Sequence, residues 1–526
     1  MRRLISLYLL AFFFSALEVS AQFPNVEISN LRAPEEVTIC INPTNTLNIA
    51  AAANIDNYYY SMDGGIHWTP NVLSCSGIGV YGDPCIVTDT TGNFYYFHLS
   101  NPPPGYGSWV DRIVCQHSVD GGINYDHGSY AGLNGKKVQD KAWAALNPLT
   151  NELYITWTQF DVYGSKRTTD STQIYFSKSS DKAKTWSTPQ RLSTKGGDCL
   201  DSDNTVEGAV PCVGPNGEIY VAWAGPEGLV FNKSTNGGRT WLAHERKITS
   251  IPGGWDYAVP GLERCNGLPI TSCDISHGPD RGTIYINWSD QRNGSGDADV
   301  WLVKSTDGGN AWSAPLRVND DAPGTQQFMS WMTVDQITGK LYVLFYDRRN
   351  FDVQDLHTDV YLAVSGDGGE SFFNFKVNTN SFAPTESVFF GDYINISAVN
   401  DVVRPIWMSC DKHALSVWTA LIDASTLNLA LELREPHLPL VVESDKQEPV
   451  QSGANINFAL NRQERVSLEL FDRFGKPVRS VYEQKVLKKG SYQLNYKNWA
   501  EGIPSGIYLY LLETEEGKQR GKCVIY

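Results

Sequence analysis

One octapeptide recurs six times along the 526-residue chain, with the pattern Ser-x-Asp-x-Gly-x-x-aromatic. The copies start at Ser61, Ser118, Ser179, Ser234, Ser305 and Ser365, spaced 55 to 71 residues apart. The first reads Ser61-Met62-Asp63-Gly64-Gly65-Ile66-His67-Trp68; the third relaxes to Lys182-Ala183 at the glycine positions, the fourth puts Asn236 in place of Asp, and the sixth closes on Phe372. Self-similarity at such a period marks an array of identical supersecondary units, none of which can bury its apolar face alone. The box itself is turn chemistry. Ser and Asp side chains satisfy turn amides, Gly supplies a positive φ, and the aromatic anchors the turn between strands. Its aspartates therefore read as structure and not as catalysts.

Short alternating runs precede each box, as expected for strands. In the fourth unit these are 208–213, a Pro215-Asn216-Gly217 turn, 218–223 and 228–233. After the sixth box, 392–398, 402–408 and 414–422 give three more strands without a box. A fourth could come from the N-terminus, 25–30, which resembles the stretch Leu316-Arg317-Val318-Asn319 that follows a box. The expected fold is all-β, a propeller of four-stranded blades closed by an N-terminal clasp. Seven blades are favoured; the six-bladed alternative leaves 380–425 as an appendage. Composition agrees, with 12% aromatics and 46 Gly in a chain with few long helical patterns.

The octapeptide resembles the Asp-box of sialidases and related propellers, over residues 25–425. The resemblance implies that residues 22–435 form the propeller, with the box turns opposite the binding face. It also implies a glycan or glycoprotein ligand. Sialidase chemistry calls for three arginines on the sugar carboxylate, because guanidinium forks match carboxylates. It further calls for a Tyr activated by a Glu, and an Asp acid/base. The run from Asn204 to Trp223 looks like the segment carrying the catalytic Glu, which places that role on Glu207. Tyr393 is the matching nucleophile and Asp56 the matching acid/base. Arg32, in a faint echo of an Arg-Ile-Pro motif, and Arg292, Arg348 and Arg349 are the arginine candidates. Trp223 stands where the family carries a carboxylate-binding Arg and enters the substrate-binding set in its place. The functional expectation is a secreted or cell-surface propeller that acts on or binds glycans, with exo-sialidase as its enzymatic form. A non-catalytic glycan- or protein-binding propeller is the alternative.

The residues themselves add a second expectation. Glu36, Asp83, Asp140, Glu207 and Asp392 each stand near the start of a unit's first strand. Pointing inward, they form an acidic ring at the pore mouth, where like charges raise pKa values or hold a cation. Otherwise each caps nearby loop amides. No cofactor is expected beyond that possible cation.

At the N-terminus, Arg2-Arg3, the apolar run 4–17 and the small residues before Gln22 read as a signal peptide, 1–21. No other stretch is apolar enough to span a membrane. Export permits disulfides, and among ten cysteines Cys199/Cys212 and Cys265/Cys273 are the closest pairs lying in loop-rich sequence and the expected bridges. Residues 436–451, rich in Pro, read as a linker. Residues 452–526 alternate as a β-sandwich that resembles the C-terminal sorting domains of type IX secretion cargo, on Leu470–Val478, Pro504–Tyr508 and the closing Gly521–Tyr526. This implies a secreted or outer-membrane-surface location and the type IX machinery as a partner. A net charge of −15 argues against nucleic acid.

Overall fold

The computed structural model describes residues 23–427 and most of 455–525; the expected signal peptide and linker lie outside the described residues. Antiparallel sheets succeed one another along the chain, and each four-stranded unit runs outward in sequence order. The first comprises Thr38–Ile41, Ile49–Ala53, Asn57–Ser61 and Thr69–Val72. The innermost strands of the next five are Cys85–Thr88, Val138–Leu146, Glu207–Val213, Ile270–Cys273 and Gln327–Val334. In the last sheet, Asn395–Val399, Val402–Asp411 and Ala414–Ala420 are completed by the N-terminal strand Asn25–Ser29. That strand pairs with Ala414–Ala420 in the register Asn25↔Ala420 and Val26↔Thr419. The innermost strands neighbour one another in order, and Asn395–Val399 returns to Thr38–Ile41. The sheets thus close into a ring that leaves only short outer edges, such as Thr69–Val72, exposed.

The boxes hold the ring together. In every copy the Ser hydroxyl accepts from the backbone N–H four residues on, at 2.8 to 3.0 Å, and donates to the Asp or Asn two residues on. The box aromatic then reaches back to the preceding sheet. Tyr125 meets Tyr58 at 5.3 Å, Trp186 meets Phe97 at 5.8 Å, Trp241 meets Phe176 at 4.9 Å, and Trp312 meets Phe231 at 5.1 Å. The anchor therefore runs between blades, where the sequence suggested only strands.

Gly309 shows the constraint. Its φ is +78°, and a Cβ there would lie 2.4 Å from the Phe231 ring. Gly309→Ala is expected to cost about 2–4 kcal/mol, from left-handed backbone strain and overpacking. Ala183, at φ 59°, is the native control. Ala183→Gly should be neutral to about 1 kcal/mol stabilising. Denaturant midpoints of the two variants check both.

The expected bridges are absent, and all nine described cysteines are free thiols. Cys40, Cys85, Cys212 and Cys273 lie on innermost strands, and Cys212 faces Cys273 of the next sheet. Cys199 sits instead in the loop that holds Gly164. Cys265 lies toward Arg348 and Asp392 while Cys273 lies toward Asp274 and Glu218. Closeness in sequence here means opposite ends of a strand.

Beyond residue 455 a second set of strands has its own core. Asn455–Leu460 pairs with Gly490–Asn495, and a four-stranded sheet has the order Pro477–Leu487, Glu464–Asp472, Gly506–Thr514, Gly517–Ile525. Phe458, Val466, Leu468, Leu470 and Leu512 fill the space inside. No helix among the described residues is long and apolar enough to cross a membrane.

Candidate functional site

A backbone device repeats where the innermost strands begin. Glu36, Asp83, Lys141, Gly208, Met329 and Gly391 all have positive φ, between 46° and 90°. In three sheets the ladder slips at this point, between Asp140 and Trp143, Glu207 and Val210, and Phe328 and Trp331. A bulge of this kind turns a side chain out of the pleat. Here it turns carboxylates toward the axis, and in the third sheet it adds a lysine to them.

Lys141 is the hub. Its Nζ donates to Asp392 Oδ2 at 2.5 Å, Glu36 Oε1 at 3.4 Å and Asp83 Oδ2 at 3.5 Å, all on buried side chains. Arg264 arrives from the loop before the fifth sheet. Its Nε donates to Asp392 Oδ1 at 2.8 Å and its Nη1 to Asp201 Oδ2 at 2.7 Å, with Nη2 also on Asp392. Tyr163 donates its hydroxyl to Asp201 at 2.7 Å. Asn54 donates to Glu36 and accepts from the Asp83 amide at 2.7 Å. The acidic ring expected from the sequence is thus assembled, but two cations reach it that the sequence did not reveal. A cation at the mouth is not supported, because the Lys141 ammonium already stands among the carboxylates. Among the described residues no group of His, Cys, Asp or Glu converges as a metal site.

The protonation pattern follows. Asp392 would be raised by burial, yet Lys141 and Arg264 hold it well below the usual carboxylate range. Burial, then Asp83, pushes Glu35 up to about 7 and Asp140 likewise to about 7. Glu36 is raised well above its ordinary value by burial and Asp83. Glu207 is fully buried at 0% exposure, and its oxygens lack a hydrogen bond of good geometry. Burial and the charges of Asp201 and Asp140 raise its pKa well above the usual range. Its carboxyl faces Asp201, and that neighbouring charge favours its protonated form.

Beside this cluster lies a cavity of about 310 Å³ lined by Glu35, Glu36, Asp83, Asp140, Lys141 and Arg264 together with aromatic side chains. Tyr81, Trp109 and Tyr163 line it in a chain of edge-on contacts at 5.4 and 5.7 Å. Trp109 is 42% exposed, and Arg264 lies over Phe389 at 5.5 Å.

The other residues singled out from the sequence are placed as follows. Tyr393 is buried against Trp143 at 5.7 Å and Trp331 at 6.0 Å, with the Lys141 ammonium 6.0 Å from its ring. Burial and Asp83 raise its phenol well above the ordinary value, the reverse of an activated nucleophile. Asp56 and Arg32 pair with each other at 2.5 Å. Arg292 closes on Asp290 at 2.6 Å, over Trp288 and Trp301. Arg349 closes on Asp347 and Asp320, at 2.7 and 2.6 Å. Arg348 lines a different cavity. The expected convergence of three arginines is therefore not formed by these residues; the arginine that reaches the centre is Arg264. Trp223 is 1% exposed within a core cluster that includes Val206 and Val230, so it packs the blade and offers no face to a ligand. Lys141 had one legible signal, its position beside Asp140 at the register of the ring. Arg264 and Asp201 had none, since they lie on aperiodic loops.

No family model matches the chain, and no curated protein is detectably similar to it. Solved structures of similar shape include a Hadza microbial sialidase, at 13% identity and TM-score 0.42, covering 73% of this chain and 75% of that one. Trypanosoma rangeli sialidase in complex with sialic acid shows 13% identity and TM-score 0.43, covering 86% and 84%. YCF48 bound to D1 peptide shows 12% identity and TM-score 0.38, covering 76% and 97%. At these values the likeness carries no functional argument.

Proposed function

We propose that the chain is a glycan-directed propeller that receives one sugar residue in the central cavity, and that this sugar carries no carboxylate. The observation behind this reading is that both cations of the cavity, Lys141 and Arg264, are committed to buried carboxylates. An acidic sugar would have to displace one of these pairs and then face Glu35, Asp83 and Asp140. A neutral or amine-bearing sugar meets both carboxylate acceptors and the Tyr81–Trp109–Tyr163 surface, suited to stacking. The cavity volume suits a monosaccharide unit. Glu35, with a pKa near 7, is tuned for general acid work at neutral pH, so glycoside hydrolysis is the enzymatic form of this reading. Exo-sialidase activity is its rival, and release of free sialic acid is the result that would favour the rival.

The test is binding and sugar release by the purified mature chain on neutral, amino and sialylated glycans. Trp109→Ala is expected to weaken binding by about tenfold. Glu35→Gln should keep binding and lose turnover if the protein is an enzyme. Binding confined to sialylated glycans would sink the proposal. The same reading takes residues 1–21 as an export signal and the C-terminal strands as a sorting domain for the type IX machinery, on the motifs described above. N-terminal sequencing of the exported protein, and export of a chain truncated at 435, test that part.

A further inference from the structure

Arg348 differs from the other arginines near the mouth. Arg264, Arg292 and Arg349 end on carboxylates. Arg348 is 5% exposed and has no counter-charge within ion-pair distance. Its Nε donates to Thr358 Oγ1 at 3.1 Å and its Nη1 to Gln326 Oε1 at 3.2 Å, both neutral acceptors. Its guanidinium lies over Phe328 at 5.3 Å. Nη2 is buried and unpartnered. Burial lowers the pKa only to about 10, so the group stays charged at neutral pH. An unpaired buried charge is costly, and a buried donor left without a partner calls for one from outside the fold.

Arg348 lines a cavity of about 540 Å³, separate from the central one. Val259, Leu262 and Leu356 give it an apolar wall, and the rim carries the carboxylates of Asp352, Asp355 and Glu386. Asp355 also accepts from His357 at 2.6 Å. Charge therefore runs from a cation at the floor to anions at the rim. A simple anion would be opposed at the rim, and a simple cation at the floor.

We propose that this cavity binds a small zwitterion with an apolar body, an apolar amino acid or dipeptide, with its carboxylate on Arg348 and its ammonium among the rim carboxylates. Arg348 lines the cavity and Nη2 is its one guanidinium nitrogen without a partner, so the carboxylate seats on that nitrogen.

Calorimetric titration of the mature chain tests this with leucine, Leu-Leu, N-acetylleucine and leucinamide. One or both zwitterions should bind, and removing either charge should weaken binding by about tenfold or more. Arg348→Gln should weaken it by about 30-fold or more, the usual consequence of truncating one partner of a buried charge pair. Because a buried arginine also supports its loop, the exposed pair Asp352→Asn/Asp355→Asn provides an independent check. It should lower leucine affinity several-fold and leave N-acetylleucine equal or tighter. Absence of binding by both zwitterions, equal affinity for leucine and leucinamide, or unchanged leucine affinity in the rim variant would each overturn the proposal.

Discussion

Lys141→Met is expected to destabilise the propeller by about 3–5 kcal/mol, the usual cost of stranding buried charge by removing one partner. The ammonium touches Asp392, Glu36 and Asp83, and these carboxylates come from the seventh, first and second sheets, so the lysine of the third sheet ties distant parts of the ring. Arg264 compensates only Asp392 and Asp201, leaving Glu36 and Asp83 without a cation. A second substitution separates charge from packing. Asp392→Asn in the Lys141→Met background removes one stranded charge and should restore part of the loss, whereas alone it should be destabilising. Lowering the pH should also narrow the gap to the parent, since Glu36, already raised by burial and Asp83, can then take up a proton. Denaturant midpoints of the four proteins measure the coupling. A Lys141→Met variant as stable as the parent would mean that the ring is solvated and that the lysine is no hub.

What was legible in the sequence divides along physical lines. The boxes were visible because turn chemistry is local: Ser, Asp and Gly act on amides within four residues. The clasp was visible because its strand resembles those that follow the boxes. The carboxylates Glu36, Asp83, Asp140, Glu207 and Asp392 could be grouped because each stands near the start of a unit's first strand, within one residue of the same backbone position. Their partners could not be. Lys141 occupies a bulge position that other sheets fill with Gly208 or Met329, and Arg264 reaches the centre from a loop with no period. The loop arginines were misjudged for a related reason. Asp290 and Asp347 stand two residues before Arg292 and Arg349 and take up their guanidinium groups within the loop. Arg348, between Asp347 and Arg349, points the other way and stays unpaired. Proximity also misled for the cysteines, which extended strands carry apart.

Stability should be greatest near pH 4–5 and fall toward pH 8, by on the order of 3 kcal/mol, unlike that of most proteins with an acidic composition. The sign comes from the ring. Glu35 moves from 4.5 to about 7 and Asp140 from 3.8 to about 7 on folding, and Glu36 and Glu207 are raised as well. The folded state holds these protons more tightly than the unfolded chain. The stability that Glu35 and Asp140 contribute is complete below about pH 4 and is lost as the pH climbs to 7, above which they remove no more. His98 opposes them. Burial lowers its pKa to about 4 and lowers that of His117 as well, so these two histidines add stability as the pH rises toward their ordinary 6.5, against four raised ring carboxyls. The acid limit is set elsewhere, because Asp63 and Asp181 are lowered to about 2, chiefly by hydrogen bonds from His67 and Thr185 in their box turns. Their contribution is present above pH 4 and is lost as the pH falls toward 2. Unfolding at pH 4, 5, 6, 7 and 8 measures the profile, and Glu35→Gln and Asp140→Asn should each flatten its fall between 5 and 7. A profile that instead rises from pH 5 to 8 would mean that these carboxyls ionise freely in the folded ring, and with that Glu35 would lose its standing as a neutral-pH acid.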